Sequence, residues 1–157
     1  MLGDSAGDLV LVGIRRRGDL LARRLAEIIL REHGTEVPTG SLDITLYRDD
    51  FHQIGPKPVI GVTDIPTDIG GRRVVIVDDV LFTGRTIRAA LNELADFGRP
   101  RRVELAVLVD RGGRELPIQA DHVGLTVDAT DHDHVEVRVP ELDGTLSVTL
   151  VKPPESE

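Results

Sequence analysis

Between Val74 and Thr86 the chain reads Val-Val-Ile-Val-Asp-Asp-Val-Leu-Phe-Thr-Gly-Arg-Thr, and no other stretch narrows its fold so far. The four apolar residues Val74–Val77 predict a strand buried on both faces, the environment of a central strand in a parallel sheet. Asp78 and Asp79 fall where that strand is expected to end. Thr83-Gly84-Arg85-Thr86 forms a turn, and Ile87 to Phe97 has the spacing of an amphipathic helix. A strand, a glycine turn and a helix N-terminus make a place where backbone N–H groups converge and the helix dipole points outward, which suits a phosphate. The paired acids add acceptors for two neighbouring hydroxyls. A ligand with a 5-phosphate and vicinal ribose hydroxyls satisfies both halves. Acid pairs also close ordinary strands, and Thr-Gly is a common turn; the order of acids, turn and helix is what makes the string specific.

The rest of the chain extends the same pattern. Asp8 to Ile14 contains Leu-Val-Leu-Val-Gly-Ile and reads as a buried strand. Arg15-Arg16-Arg17-Gly18 is a loop, and Asp19 is expected to cap a helix whose apolar stripe is Leu20, Leu21, Leu25, Ile28 and Ile29, with Gly34 as its stop. Leu42 to Tyr47 alternates as a strand does. Arg48 to Pro58 is polar and holds Gly55, Pro56 and Pro58, and a short strand is expected to resume near Val59. Val103 to Val109 is another buried strand, ending in Asp110-Arg111-Gly112-Gly113. Val135–Val139 and Leu146–Val151 are expected to pair as a hairpin around Asp143-Gly144. Buried strands separated by helices imply a mainly parallel sheet. Ligands bind such sheets at the carboxyl ends of the strands, so the loops after Ile14, Val77 and Val109 belong to one rim.

A length of 157 residues predicts one domain, 1–157, with a core that needs no staples, and the absence of Cys excludes disulfides and thiolate chemistry. No segment has the length of a membrane span and the N-terminus lacks a signal pattern, so the expectation is a cytoplasmic protein with no membrane partner. A net charge of −8 argues against a surface that attracts nucleic acid everywhere, although arginines cluster at Arg15–Arg17, Arg23 and Arg24. Asp131-His132-Asp133-His134 offers imidazole beside carboxylate, as zinc sites do, but reads as a solvated acidic loop.

The Val74–Thr86 string resembles the signature of the type I phosphoribosyltransferases, which bind phosphoribosyl pyrophosphate (PRPP). The resemblance implies an α/β fold with a twisted, mainly parallel sheet flanked by helices, a small hood region over the base and a mobile loop. Ile14 to Gly18 resembles that family's pyrophosphate loop, which assigns Arg15, Arg16, Arg17 and Gly18 to PRPP. Tyr47-Arg48-Asp49-Asp50 resembles its mobile catalytic loop, in which Arg48 would offset charge on the leaving pyrophosphate. Leu42 to Asp50, Gly98-Arg99-Pro100 and Leu105 to Gly112 are similar to the PyrR family, bifunctional pyrimidine-operon regulators with uracil phosphoribosyltransferase activity. This likeness runs from about Leu9 to about Gly124.

It implies the reaction of uracil with PRPP to give UMP and pyrophosphate with Mg²⁺, UMP-controlled binding to a leader mRNA, and a homodimer or higher homo-oligomer. Asp78 and Asp79 would hold the ribose hydroxyls and the metal; Leu81, Phe82, Thr83, Gly84, Arg85 and Thr86 would cradle the 5-phosphate; Val109, Asp110 and Arg111 would face the base. The chain departs from the family in three places. Only a few residues precede its first strand, where the family has a helix. The family's basic, hydroxyl-rich stretch after Asp121-His122-Val123-Gly124 is replaced by an acidic one, which on counterion-release grounds opposes RNA binding. Gly113 stands where the family's Arg-Gly-His-Arg run has histidine. The alternatives these departures raise are a non-catalytic, nucleotide-sensing RNA-binding regulator and a phosphoribosyltransferase for another base.

Overall fold

The computed structural model describes residues 7–44 and 63–153. Its centre is a parallel sheet of five strands: β1 (Leu9–Ile14), β2 (Thr39–Leu42), β3 (Arg73–Leu81), β4 (Arg102–Asp110) and β5 (His122–Thr126). Their order in space is β2-β1-β3-β4-β5. Every residue of β1 is buried, as the unbroken run of branched residues predicts for a strand covered on both faces. Helix α1 (Gly18–His33) connects β1 to β2, and α2 (Arg85–Ala95) connects β3 to β4.

The period of two sorts the core into two layers. Val10, Val12, Val74, Ile76, Leu105 and Val107 pack with Ile87, Ala90 and Leu94 of α2. Leu9, Leu11, Val75, Val77 and Ala106 pack with Ala22 and Ile29 of α1 on the other face. A third cluster joins Val109 of β4 to Val135, Val137 and Val139. Val135 and Val137 belong to β6 (His134–Arg138), which pairs antiparallel with β7 (Ser147–Val151), and Val139 caps the single turn α3 (Pro140–Asp143) at the bend of this hairpin. This hairpin, expected from sequence and termed the hood below, has Gly144 closing its turn in the left-handed region at φ 76°.

Several boundaries differ from the sequence reading. β3 runs past Val77 to Leu81, because β4 supplies partners there: Val80 lies opposite Val109 and Leu81 opposite Asp110. Asp78 and Asp79 are therefore held inside a strand rather than in a loop. α2 begins at Arg85, earlier than Ile87, and ends at Ala95. Asp19 does not cap α1; the cap position is Arg17, without a side-chain cap bond, and Asp19 sits in the first turn, where its charge suits the dipole. Gly34 does end α1, in the left-handed region and with its N–H on the Leu30 carbonyl. Ile28, expected in the apolar stripe, is 39% exposed and lines an apolar groove of about 450 Å³ with Leu21, Leu25, Val123, Leu146 and Val148.

β2 is Thr39–Leu42, earlier than the expected Leu42–Tyr47, because those residues pair with Leu11–Ile14 of β1. Leu42 and Ile44 are buried; the rest of that expected strand, the Arg48–Pro58 segment and Val59 lie outside the described residues. Among the described residues, no helix is long and apolar enough to cross a membrane.

Candidate active site at the switch point

β1 and β3 are neighbours, yet the chain leaves β1 toward β2 on one side and leaves β3 toward β4 on the other. Such a switch point opens a crevice beyond the carboxyl ends of the two strands. It is flanked by the Arg15–Arg17 loop and by the segment from Asp78 to Gly84, the last residues of β3 and the turn beyond them. Two glycines bring them together. A Cβ on Gly13 would overlap the backbone of Gly18 and Asp19, and a Cβ on Gly18 would lie 2.5 Å from the Val77 carbonyl oxygen and 3.2 Å from Asp78 Cα. The N-terminus of α1 therefore rests directly on the backbones of β1 and β3.

Arg15 and Arg16 are exposed at this edge, and Arg15 lies 4.0 Å from the Asp19 carboxylate. Arg17 is turned toward the hood instead. Its Nη2 donates to Asp143 Oδ1 at 3.0 Å, and Asp143 Oδ2 accepts the Val139 N–H at 2.8 Å. The Val139 N–H holds the Asp143 carboxyl below its ordinary range; partial burial opposes this and the Arg17 guanidinium adds to it. A second pair, Arg24 to Glu141 at 2.8 Å, ties α1 to α3 next to the first.

Asp78 is 5% exposed and Asp79 half-buried. Asp78 Oδ1 accepts the Asp79 N–H and Asp79 Oδ1 accepts the Val80 N–H, each at 2.8 Å, which fixes both carboxylates within the last four residues of β3. The turn beyond them is braced from one side. The Leu81 carbonyl accepts from Arg111 N at 3.1 Å, the Phe82 carbonyl from Arg114 Nη1 at 2.9 Å, and the Thr83 carbonyl from Glu115 N at 2.9 Å. Gly84, at φ 95°, is the cap residue of α2, a conformation that costs a residue with a side chain. Thr83 Oγ1 accepts the Arg85 N–H at 3.2 Å, and Arg85 pairs with Glu115 at 2.8 Å. With the carbonyls committed to the 111–116 segment, the first-turn N–H groups of α2 at Thr86 and Ile87 have no acceptor within their own helix.

At the end of β4, Val109 is fully buried in the third cluster, so its side chain supports the hood. Asp110 pairs with Arg114 at 2.7 Å and accepts the Gly112 N–H at 3.0 Å. Burial pushes the Asp110 carboxyl up, but the Arg114 and Gly112 hydrogen bonds outweigh it and hold it below the ordinary value. Arg111 is 6% exposed: its Nη2 donates to the carbonyls of Thr130 at 2.7 Å and Asp133 at 2.9 Å, and its Cζ stands 3.9 Å from the centre of the Phe82 ring. The guanidinium thus staples strand end, turn and hood loop rather than reaching out from the rim.

The described residues bring together Arg15–Gly18, Asp78, Asp79 and Leu81–Thr86, with Val109–Arg111 alongside; Arg48 lies outside them. Among the described residues, no group of three or more metal-ligating side chains occurs. The Asp131–His134 run does not converge: Asp133 is buried with Oδ2 accepting the Thr130 N–H, while Asp131, His132 and His134 are exposed. Sequence reading missed three contributors. Gly13 was legible as a lone glycine inside a strand, which signals close backbone approach. Arg114 had a signal in its i,i+4 spacing from Asp110. Asp143 had none, because Arg17 lies 126 residues away.

A family model described as the phosphoribosyl transferase domain matches residues 3–143. The proteins named "Bifunctional protein PyrR" from Chloroflexus aurantiacus and Deinococcus radiodurans are similar to the chain. The first is 57% identical over 145 residues, 92% of this chain and 80% of the relative. The second is 52% identical over 148 residues, 94% and 81% respectively. Among solved structures, a hypoxanthine phosphoribosyltransferase from Staphylococcus aureus superposes with a TM-score of 0.61 at 24% identity, covering 94% of this chain and 77% of that one. The hypoxanthine phosphoribosyltransferase of Trypanosoma cruzi gives 0.64 at 19% identity over 92% and 77%. These two likenesses concern the fold.

Proposed function

The chain belongs to the phosphoribosyl transferase domain family and, within it, to the PyrR proteins; from that premise we propose that it is a uracil phosphoribosyltransferase that also regulates pyrimidine genes. Uracil and PRPP give UMP and pyrophosphate, and UMP controls binding to a leader mRNA. One observation carries the enzymatic half. An arginine loop, an acid pair and a glycine-capped helix N-terminus meet at one switch point. The family resemblance implies a cytoplasmic setting, a homo-oligomer and a single catalytic domain.

In this reading the N-terminus of α2, with the backbone from Leu81 to Arg85 and the Thr83 and Thr86 hydroxyls, takes the 5-phosphate. Asp78 and Asp79 accept from the ribose hydroxyls. Arg15, Arg16 and Gly18 take the pyrophosphate, and Arg17 joins them by exchanging its carboxylate partner for phosphate oxygens. Val109 to Arg111 supply the base-side wall. A bond from the base nitrogen to the ribose carbon forms as the bond to pyrophosphate breaks, so no side-chain nucleophile is needed. Arg48, by its resemblance to the family's catalytic loop, would offset charge on the departing pyrophosphate. Two adjacent carboxylates, one half-exposed, suit Mg²⁺, which keeps several waters and shares its shell with substrate phosphates. When bound it neutralises charge on the leaving group, with Asp78 and Asp79 as its protein ligands.

Gly113 favours a second reading, a transferase for another base, since it alters the base-side segment. Purified protein with PRPP, Mg²⁺ and, separately, uracil, hypoxanthine, guanine and orotate decides between them. UMP from uracil alone is the expected result. A nucleotide from another base only would select the second reading. No product despite saturable PRPP binding would leave a regulator without turnover.

A further inference from the structure

Phe82 belongs to the phosphate turn, but its ring leaves that turn and enters the base-side wall. One face of the ring carries the Arg111 guanidinium, 3.9 Å from the ring centre. That guanidinium is itself fixed by the carbonyls of Thr130 and Asp133. Its Nε is buried without a hydrogen-bond partner, and among the described residues no carboxylate pairs with it. A buried cation without a carboxylate partner is costly, and the electron-rich ring face adds to the two carbonyl acceptors in offsetting its charge. The edge of the ring meets Gly113. A Cβ built on Gly113 would overlap Phe82 Cε1 and lie 2.8 Å from Cδ1. The ring of the half-buried Phe82 therefore fills the space that a Cβ at position 113 would need, and Arg111 closes off one of its faces.

We propose that Phe82 is a positioning residue, whose ring, seated between the buried Arg111 guanidinium and the bare Cα of Gly113, sets the distance between the phosphate turn and the base-side segment. This rests on the transferase reading above, because it assigns the two halves of one substrate pair to the two sides of the ring. Three independent ties converge on the same few residues. The Arg111 N–H binds the Leu81 carbonyl, Arg114 binds the Phe82 carbonyl, and the ring stacks on Arg111. The backbone bonds fix the turn's position along the strand. The ring fixes its separation from the wall. Gly113 follows as the matched half of the device: a residue with a side chain there requires a smaller neighbour at position 82.

The test is a double-mutant cycle on the whole chain, read in two ways. Steady-state kinetics with PRPP, Mg²⁺ and uracil compare the wild type with Phe82→Leu, Phe82→Tyr, Gly113→Ala and the combination of Gly113→Ala with Phe82→Leu. Phe82→Leu is expected to raise the KM values for PRPP and uracil about tenfold while kcat changes less than threefold, and Phe82→Tyr to recover most of that loss. Thermal unfolding supplies a readout that needs no activity. Gly113 has φ 77°, so alanine there carries a backbone strain that does not depend on residue 82, whereas the steric overlap does. The combined variant is therefore expected to melt higher than Gly113→Ala alone.

Additive melting shifts would overturn the matched pair. A kcat loss with both KM values unchanged would overturn the positioning role. If the wild type makes no UMP while the melting shifts are non-additive, the transferase reading fails and the packing relation between Phe82 and Gly113 stands, which separates the two failures.

Discussion

Gly13 and Gly18 set the width of the crevice by having no side chains. Gly13 sits inside a strand, where glycine has no packing value, and its place is explained by the backbone of Gly18 and Asp19 lying against it. Gly13→Ala is expected to lower stability by about 3 kcal/mol, because the obstructing atoms are backbone and cannot rotate away. A lowered urea midpoint with an unchanged slope would report this. Far from the rim, Arg73, Glu104 and His122 form a buried network across β3, β4 and β5, with His122 Nε2 at 2.9 Å from Glu104. Burial raises the Glu104 carboxyl, while Arg73 and His122 lower it by more, so it is ionised at neutral pH. Glu104→Gln is expected to cost about 3 kcal/mol, since it removes the buried negative charge that Arg73 and His122 face. Equilibrium unfolding of the variant measures that.

At the scale of elements, α1 and α3 are joined by Arg17–Asp143 and Arg24–Glu141, so the Arg15–Gly18 loop and the hood form one piece of framework. Asp143 has a depressed folded-state pKa. Its contribution to stability is therefore complete above the ordinary aspartate value of about 4 and is lost as pH falls through the lower folded value. Melting temperatures of wild type and Asp143→Asn are expected to differ by a constant amount from pH 7 to about pH 5 and to converge below about pH 4. Convergence at higher pH would place the stabilising charge elsewhere.

The elements legible in sequence were those whose surroundings are uniform: β1, the core of β3 and β4 read as apolar runs because sheet and helices cover both faces. β5 was not legible. It is interrupted by Gly124 and exposes Val123 and Leu125, so it carries neither a continuous run nor a clean alternation. The end of β3 was misplaced because two aspartates look like a strand terminus until β4 is known to pair beyond them.

At the scale of the molecule, a net charge of −8 coexists with exposed Arg15 and Arg16 beside the crevice and exposed Arg23 on α1. Leader-RNA binding through so small a basic patch is expected to weaken tenfold or more between about 50 and 200 mM salt, with a slope set by few phosphate contacts. Filter binding across that range, with and without UMP, gives the slope; a salt-independent affinity would exclude this patch. The candidate site itself was largely legible, because strand, acids, glycine turn and helix follow one another in sequence and local order decides their geometry. What joins them was not. The Arg111 staple, the Arg17 tie and the Gly13–Gly18 contact each link residues through the fold, and no local pattern encodes their partners.

The central claim is that the acid pair at the end of β3 serves a ribose phosphate. The most direct measurement is the rate of UMP formation from uracil, PRPP and Mg²⁺ by the wild type and by Asp79→Asn, with unfolding midpoints taken on both. The account predicts UMP from the wild type, a loss of about a hundredfold or more in kcat/KM for the variant, and equal midpoints. A variant as active as the wild type, or a wild type that binds no PRPP, would contradict it.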